Sequence, residues 1–281
     1  MSKLWPLEGV SLVVPCFNEA RRLDMAQFRA FAERHPALHW VLVDDGSADG
    51  TWGVLQQIAA HRPESFELLR LRRNAGKAEA VRQGILTALR GPARYVGFWD
   101  ADLATPLEAL LDFYRVLEER PWIELAIGSR VQLLGRDIER RPARHYAGRM
   151  FATAVSLILN LRIYDSQCGA KILRVTDETT TLFARPFRSR WIFDVELLAR
   201  LIRAHRDPTR LPTRKIVYEM PLTAWRDVRG SKLRTRDLPR VALDLARVYV
   251  DLRRSRSAPV VPDRPGEAAP APAELHGGVR G

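Results

Sequence analysis

Two aspartates directly follow an apolar segment of the sequence, in the run Asp100-Ala101-Asp102 after residues 95–99. Carboxylates at positions i and i+2 around a small residue can hold one hard divalent cation, Mg²⁺ or Mn²⁺, while a diphosphate approaches from the other side. Acidic pairs are common in loops, so the spacing alone is a weak signal. The position after a predicted strand makes Asp100 and Asp102 candidate metal ligands, with Ala101 beside the substrate.

A second acidic pair, Asp44 and Asp45, follows the apolar run at 40–43. Carboxylates at such a strand end can bind a nucleotide base or a ribose hydroxyl. The nearby Ser47 and Asp49 are explained equally well as caps of the next helix. Capping does not explain two adjacent carboxylates, whose repulsion requires a cationic or donor-rich partner. We therefore expect Asp44 and Asp45 in a substrate-binding site.

The segment 74–77 lies between a predicted strand and a predicted helix and contains Gly76 and Lys77. Gly76 permits close approach of the backbone, and Lys77 at a helix start can meet an anion. The segment is not a Walker A loop, because the upstream glycine and the following Ser or Thr are missing. An ordinary strand-to-helix turn explains it equally well when it is taken alone.

The elements that must position these motifs are predicted by hydrophobic periodicity. Apolar strands are predicted at 10–14, 40–43, 66–71, 95–99 and 125–128, and helices at 21–34, 51–60, 78–89 and from 105 onward. This alternation predicts an α/β fold with a Rossmann-like, mostly parallel sheet and helices on both faces. Ligands of such sheets bind beyond the carboxyl ends of the strands, where the three motifs lie.

The pattern changes after residue 129. An arginine-rich stretch at 132–144 is followed by an apolar segment at 150–161, a helix at 194–203, a strand at 216–218 and a basic amphipathic helix at 238–252. We interpret residues 1–256 as one domain. Residues 257–281 are rich in Pro, Ala and Gly and are predicted to be disordered, because they cannot bury enough apolar area to offset their ordering entropy.

The composition limits the class of protein. Of 281 residues, 46% are apolar, as is typical of globular proteins. Two cysteines, Cys16 and Cys168, exclude a disulfide scaffold and a zinc ribbon. The net charge of +12 predicts an anionic partner: nucleic acid, an anionic membrane or a phosphorylated substrate. No stretch approaches the roughly 20 apolar residues of a membrane span, and the start of the chain is too polar for a signal peptide, so we expect a cytoplasmic protein.

Taken in order, eight segments between residues 13 and 233 resemble family 2 glycosyltransferases of the GT-A fold. The resemblance is strongest to the polyprenyl-phosphate glycosyltransferases, which include dolichyl-phosphate β-glucosyltransferase and dolichyl-phosphate mannose synthase. The segments are VVPCFNEARRL, VLVDDGSADGT, NAGKAEAVRQGI, DADLATP, AIGSR, DSQCGAKIL, WIFDVELL and WRDVRGSKL. The runs at 165–169 and 230–232 are more similar to the glucosyl branch than to the mannosyl branch.

The resemblance implies roles for individual residues. Asp100 and Asp102 would hold Mg²⁺ or Mn²⁺ against the diphosphate, and Arg130 and Lys232 would neutralise phosphates. Asp45, or Asp44, would hydrogen-bond the base. The other implied substrate-binding residues are Pro15, Phe17, Glu19, Gly76, Lys77, Ala101, Arg144, Arg149 and Gln167.

The resemblance also divides the domain into a nucleotide-sugar half at about 8–130 and an acceptor half at about 131–256. Mannose synthases carry a polar metal ligand two residues after the second Asp, whereas this chain has Ala104. That difference matches the glucosyl branch and leaves water to complete the ligands of the metal.

Two acidic residues, Asp194 and Glu196, lie at the start of a predicted helix. Residues at i and i+2 of a helix point to different faces, so only one of them can address the site. A solvent-exposed carboxylate stabilised by the helix dipole explains either residue. The resemblance and the position at the helix start favour Asp194 as the catalytic residue.

The chemistry of the acceptor decides whether a base is needed. A hydroxyl acceptor requires a general base. A phosphate monoester is already mostly dianionic at neutral pH, because its second pKa is about 6. A lipid phosphate therefore requires cations that hold two phosphate groups together, which Arg130, Arg141, Arg144 and Arg149 can supply. We interpret Arg136 and Arg140 as solvated loop residues.

These implications predict an inverting hexosyltransferase that moves a sugar, glucose by resemblance, from UDP-glucose to a polyprenyl phosphate. Residues 150–161 and the basic helix within 234–256 can bind a membrane surface, because each basic side chain near an anionic leaflet contributes about 1 kcal/mol. Both segments can instead pack on the sheet. The resemblance favours a peripheral protein on the inner face of the cell membrane.

Two other functions remain open. A soluble family 2 transferase would act on a hydroxyl acceptor and would need Asp194 as a true base. A nucleic-acid-binding protein would explain the positive charge. The sequence contains no helix-turn-helix, zinc finger or aromatic RNA-binding motif that would support this function, and binding of nucleic acid leaves the acidic strand ends unexplained. We therefore expect no nucleic-acid partner.

Overall fold

The computed structural model describes residues 5–132, 134–139, 142–190, 192–226 and 238–254. The strands within these residues are β1 Val10–Cys16, β2 His39–Asp44, β3 Phe66–Arg70, β4 Tyr95–Phe98, β5 Leu125–Ser129, β6 Asp137–Glu139, β7 Lys171–Arg174, β8 Val217–Pro221 and β9 Ala224–Arg226. The helices are α1 Met25–Arg34, α2 Thr51–Ala59, α3 Lys77–Ala88, α4 Ala109–Glu119, α5 Pro142–Leu159, α6 Asp177–Ala184, α7 Phe193–Ala204, α8 Thr213–Ile216 and α9 Leu238–Arg254. The predicted tail at 257–281 lies outside the described residues.

The main sheet has the strand order β3-β2-β1-β4-β7-β5-β8, and a separate pair is formed by β6 and β9. All neighbours in the main sheet are parallel except those of β7, which runs antiparallel to β4 and to β5. The predicted mostly parallel sheet is therefore confirmed. The sequence analysis missed β7, because its four residues KILR form neither an apolar run nor a strict alternation.

Successive residues of the central strands face opposite sides of the sheet, as the period of a strand requires. Leu12 and Val14 of β1 belong to a core that includes the apolar residues of α1, α2 and α4. Val13 belongs to a second core, built with α3, α5, α6, α7 and α9. The prediction of helices on both faces is confirmed by these two cores. Strands β7 and β8, from the second part of the chain, join the same sheet, while the functional division into two halves stays a prediction.

Several helix and strand boundaries differ from the predicted ones. Helix α1 begins at Met25 rather than 21, because the Asp24 carboxylate caps it by accepting a hydrogen bond from the Gln27 amide at 3.0 Å. Helix α4 begins at Ala109 rather than at Pro106. The indole Nε1 of Trp99 donates to the Thr105 carbonyl at 2.8 Å and holds the preceding segment in a turn.

The carboxyl ends of β1, β2 and β4 meet at one edge of the sheet. Cys16 lies beside Asp44 in the register, and Val13 lies beside Phe98. Helix α3 reaches the same edge because Gly84 lets it lie against β1; a Cβ at Gly84 would lie 2.3 Å from Val13 Cγ1. The sheet and α3 together bring the predicted polar motifs to one place.

Candidate active site

Asp100 and Lys77 form an ion pair at this edge. Lys77 Nζ donates to Asp100 Oδ1 at 2.5 Å. Burial raises the pKa of Asp100, but the charge and hydrogen bond of Lys77, together with the charges of Lys171 and Arg130, outweigh burial, and the net pKa is below its ordinary value. Burial and the charge of Asp100 both raise the pKa of Asp102. The charge of Asp102 is therefore balanced only in part, which favours a further cation.

The glycine of the DSQCG segment borders the same carboxylate. A Cβ on Gly169 would lie 1.8 Å from Asp100 Oδ2, so any other residue here would displace Asp100. Asp102 Oδ1 accepts a hydrogen bond from the Ala104 amide at 3.1 Å. Two neighbouring carboxylates supply hard oxygen donors, which fit Mg²⁺ or Mn²⁺. In the part of the chain that the structure describes, no group of three or more His, Cys, Asp or Glu could hold a metal, so substrate or water oxygens would complete the ligands.

A second ion pair, Lys171 with Asp194, lies behind the first. Lys171 is wholly buried, and its Nζ lies 2.6 Å from Asp194 Oδ1 and donates to the Cys168 carbonyl at 2.6 Å. Asp194 also attracts Lys77, so charges alternate from Asp100 through Lys77 and Asp194 to Lys171. Sequence reasoning missed Lys171; the available signal was a lysine within an otherwise apolar segment.

The two carboxylates at the start of α7 have different surroundings. The Glu196 carboxylate accepts hydrogen bonds from the Arg188 amide and the Arg200 guanidinium, each at 2.8 Å. Only Asp194 is therefore oriented toward the Asp100 group. Its role in catalysis stays a prediction.

The adjacent carboxylates Asp44 and Asp45 find their partners within the chain. Asp44 accepts from the Ser47 amide at 2.9 Å and lies 3.2 Å from Arg70 Nε. Asp45 accepts from the amides of residues 75 and 76 at 2.7 and 2.9 Å, respectively. Burial raises the pKa of Asp45, although these amide bonds oppose the rise. The expected cationic and donor-rich partners are thus present. Both side chains are buried and support turns, and a contact with a nucleotide base stays a prediction.

The loop after β1 adds an arginine that sequence reasoning missed. Pro15 lies in β1 and Phe17 is partly buried in the loop. The Glu19 amide donates to Thr51 Oγ1 at 2.8 Å, and the buried Glu19 carboxylate accepts from Arg22 Nε at 2.6 Å. That hydrogen bond raises the pKa of Arg22, and the charge of Asp102 adds to the effect. Arg22 therefore places a permanent positive charge near Asp102.

Arg130 is held by Asp165 in a bidentate pair. Arg130 Nε lies 2.5 Å from Asp165 Oδ2, and Nη2 lies 2.8 Å from Oδ1. Burial lowers the pKa of Arg130, but the charge and hydrogen bonds of Asp165, with a smaller effect of Asp100, together outweigh burial and raise this pKa above its ordinary value. The guanidinium also lies over the Trp225 ring, 5.2 Å from its centroid. A phosphate at Arg130 would have to approach the edge that Asp165 does not occupy, so this role stays a prediction.

The remaining predicted residues divide into described and undescribed ones. Arg149 stacks on Tyr164 at 3.8 Å from the ring centroid and donates to the Tyr164 carbonyl at 3.3 Å. The Gln167 amide donates to Asp165 Oδ1 at 3.3 Å, and Ala101 is buried beside the acidic pair. Arg144 lies on α5. Its side chain, Arg141 and Lys232 lie outside the described residues.

Known proteins share this sequence pattern and this fold. The sequence model of glycosyl transferase family 2 matches residues 11–179. The dolichyl-phosphate beta-glucosyltransferase of Saccharomyces cerevisiae is 31% identical over 245 residues, which cover 80% of this chain and 69% of that protein. The corresponding enzyme of Drosophila melanogaster is 33% identical over 242 residues, covering 81% and 70%. The dodecaprenyl-phosphate galacturonate synthase of Rhizobium johnstonii is 30% identical over 174 residues, covering 59% and 48%.

Solved structures agree on the fold. Mannosyl-3-phosphoglycerate synthase from Rubrobacter xylanophilus superposes with a TM-score of 0.63 at 18% identity, covering 92% of this chain and 78% of that one. Glucosyl-3-phosphoglycerate synthase from Mycobacterium tuberculosis, in complex with Mn²⁺, UDP-glucose and phosphoglyceric acid, gives 0.60 at 15% identity, covering 89% and 80%. With the acidic strand ends and the family match at 11–179, these findings establish that the chain is a glycosyltransferase with the GT-A fold and belongs to glycosyl transferase family 2.

Proposed function

We propose that this glycosyltransferase moves a hexose from a nucleoside diphosphate sugar to a polyprenyl phosphate, with inversion and with a divalent cation. UDP-glucose is the proposed donor, because relatives that are 31% identical to this chain are named as dolichyl-phosphate beta-glucosyltransferases. The observation that carries the proposal is the buried Lys171–Asp194 pair. One oxygen of Asp194 accepts a hydrogen bond from the Lys171 ammonium group and is not free to take a proton from an acceptor. An acceptor that is already ionised does not need a base.

The proposed donor site is the Asp100 and Asp102 pair. These two residues would hold Mg²⁺ or Mn²⁺, and the bound cation would neutralise charge on the leaving diphosphate. Lys77 places positive charge at Asp100, and Arg22 places positive charge near Asp102. Gly169, which has no side chain, leaves room for the Asp100 carboxylate. The chain's own contribution is therefore a cluster of charges already gathered where a diphosphate would enter.

The proposed acceptor site lies around Arg130 and Arg149. Both guanidinium groups are fixed in place, by Asp165 and by Tyr164 respectively. Fixed cations reduce the repulsion between an acceptor phosphate and the donor diphosphate, and guanidinium binds phosphate through paired hydrogen bonds. Arg144 and Lys232 are proposed to add further positive charge on the basis of family resemblance.

The proposed membrane surface is formed by α5 and α9. Met150 and Leu157 on α5 are each 77% exposed, and α9 exposes Leu243, Tyr249 and Val250. The exposed face of α9 also carries Arg240, Arg247 and Arg253. Exposed apolar groups beside arginines suit the surface of an anionic bilayer. The helices within the described ranges include none that is long and apolar enough to cross a membrane. We propose reversible docking on the cytosolic face.

A hydroxyl acceptor is the second candidate function. It is favoured by the position of Asp194 in the first turn of α7, oriented toward the Asp100 group. In that case Asp194 would remove the acceptor proton, and the enzyme would act on a glycan or a small molecule.

The deciding experiment compares two acceptors that differ only in their phosphate. UDP-glucose labelled in the sugar is incubated with Mn²⁺ or Mg²⁺ and either undecaprenyl phosphate or undecaprenol in detergent. Labelled lipid that forms only from the phosphate supports the proposal. Transfer of label to undecaprenol or to a soluble hydroxyl acceptor overturns the proposal. The proposal is also overturned if no nucleotide sugar that is tested releases its UDP or GDP. Asp100→Asn serves as the inactive control.

A further inference from the structure

The Lys77 ammonium group is hydrogen-bonded to the Asp100 carboxylate, which is also a proposed ligand of the divalent cation. Its Nζ lies 2.5 Å from Asp100 Oδ1, within direct hydrogen-bonding distance. Both side chains are about one-third exposed, at 37% and 36%, so the pair is accessible from the substrate side. The hydrogen bond takes up one acceptor position of this oxygen, and the positive charge of the ammonium group repels a cation that approaches it.

The other oxygen of Asp100 is crowded by the Gly169 backbone. A Cβ on Gly169 would lie 1.8 Å from Asp100 Oδ2, which shows how closely the backbone borders this oxygen. One oxygen of Asp100 is thus crowded, and the other is bound to Lys77. A cation that binds Asp100 and Asp102 would therefore meet the charge of the ammonium group.

Lys77 has other partners within reach. Asp194 and Asp102 both attract its charge, and its Nζ lies 6.0 Å from the centroid of the Phe193 ring. A lysine is a compact charge on a flexible four-carbon stem, so its head group can move while the helix start remains fixed. An incoming diphosphate would offer it a doubly charged partner close by.

We propose that Lys77 and a divalent cation exclude each other on Asp100, so that Lys77 keeps cation affinity low until an anionic donor draws the ammonium group away. Cation and donor then bind cooperatively, and each raises the affinity for the other. This inference rests on the proposed donor site, and it adds a residue that sets the order in which the site fills.

The test measures Mn²⁺ binding without any turnover. Free Mn²⁺ is followed by electron paramagnetic resonance in the absence of nucleotide for the wild type, Lys77→Met, Asp100→Asn and Lys215→Met. Lys215→Met is the matched control, because it removes the same charge from an exposed position on α8. We expect Lys77→Met to bind Mn²⁺ about tenfold more tightly, within the usual range of coupling between linked sites, and Lys215→Met to match the wild type.

The outcomes distinguish the proposed exclusion of the cation by Lys77 from the proposed cation site itself. Unchanged or weaker Mn²⁺ binding in Lys77→Met, with binding lost in Asp100→Asn, overturns the exclusion alone. Wild-type binding in Asp100→Asn overturns the cation site itself. Addition of UDP should tighten Mn²⁺ binding more in the wild type than in Lys77→Met, and an equal gain contradicts the proposal. Lys77→Gln, which keeps a polar side chain, repeats the comparison if the methionine variant loses its circular dichroism spectrum.

Discussion

Lys171 Nζ lies 2.6 Å from Asp194 Oδ1, and both residues are buried between β7 and the start of α7. The lysine also donates to the Cys168 carbonyl, and the Phe98 ring centroid lies 5.3 Å from its Nζ. Removing one partner from such a pair leaves a charge that cannot reach water. This pair therefore links the stability of the sheet to the position of the proposed catalytic carboxylate.

Lys171→Met should destabilise the protein by about 3–5 kcal/mol, because it leaves Asp194 buried without its counter-charge. The double variant Lys171→Met with Asp194→Leu should recover part of the loss, since two apolar side chains can replace a buried ion pair. Urea unfolding followed by circular dichroism measures both. Wild-type stability in the single variant would contradict the prediction, because it would show that buried Asp194 does not need the charge of Lys171.

Asp194→Asn should retain transfer to polyprenyl phosphate, with a loss of less than about 100-fold, because an ionised acceptor needs no proton removed. Asparagine keeps an oxygen that can accept the Lys171 hydrogen bond. The measurement is kcat at several pH values with the phosphate acceptor. A loss of about 10⁴-fold, at the upper limit for general-base catalysis, would instead favour the hydroxyl acceptor.

Gly169→Ala should lose more than about tenfold in Mn²⁺ affinity, since the new Cβ would lie 1.8 Å from Asp100 Oδ2 and force the carboxylate to move. Gly53→Ala is the matched control: its Cβ would meet nothing within 4 Å, and alanine within α2 should stabilise the helix by about 0.5–1 kcal/mol. Titration with Mn²⁺ and thermal unfolding test the two variants. Equal Mn²⁺ affinities of the two variants would contradict the role of Gly169 in leaving room for Asp100.

Glu79 should give stability that depends on pH. Its hydrogen bonds from Arg82 lower the pKa of Glu79 below the ordinary value. A carboxyl group with a lowered pKa in the folded state stabilises the protein above its unfolded pKa, and this stabilisation is lost as the pH falls through the folded value. The difference in unfolding free energy between the wild type and Glu79→Gln should therefore be largest near neutral pH and shrink in acid. Glu119→Gln, at the exposed end of α4, is the control.

Changing Met150 and Leu157 together to Asp should weaken binding to vesicles that contain phosphatidylglycerol by at least about tenfold, because two exposed apolar side chains on α5 are lost. Trp122→Asp is the control, since Trp122 is 52% exposed and lies before β5, outside α5 and α9. Sedimentation with vesicles measures the binding. If both variants bind like the wild type, α5 is not part of the membrane surface.

The elements that could be predicted from the sequence are those that local patterns of apolar and polar residues encode. Strands β1, β2, β4 and β5 are nearly continuous apolar runs, as buried parallel strands are, and the acidic motifs lie at the carboxyl ends of two of them. Contacts between distant residues carry no such pattern. Arg130 meets Asp165, and Lys171 meets Asp194, only because β7 enters the sheet between β4 and β5. The partners of the predicted residues could therefore not be read from periodicity.

The position of β7 has a consequence for the order of folding. β4 and β5 are consecutive strands, yet β7, made later in the chain, lies between them and pairs with both. In the sheet that the structure describes, β4 and β5 form no hydrogen bonds with each other. During synthesis they therefore cannot be joined in the sheet until residues 171–174 have been made. The strand that connects β4 to β5 also brings in the lysine that must be buried, and the counter-charge of this lysine on α7 follows later still. Pairing of β7 with β4 and β5 should therefore be a late and slow step of folding, because it joins residues that are far apart in the sequence.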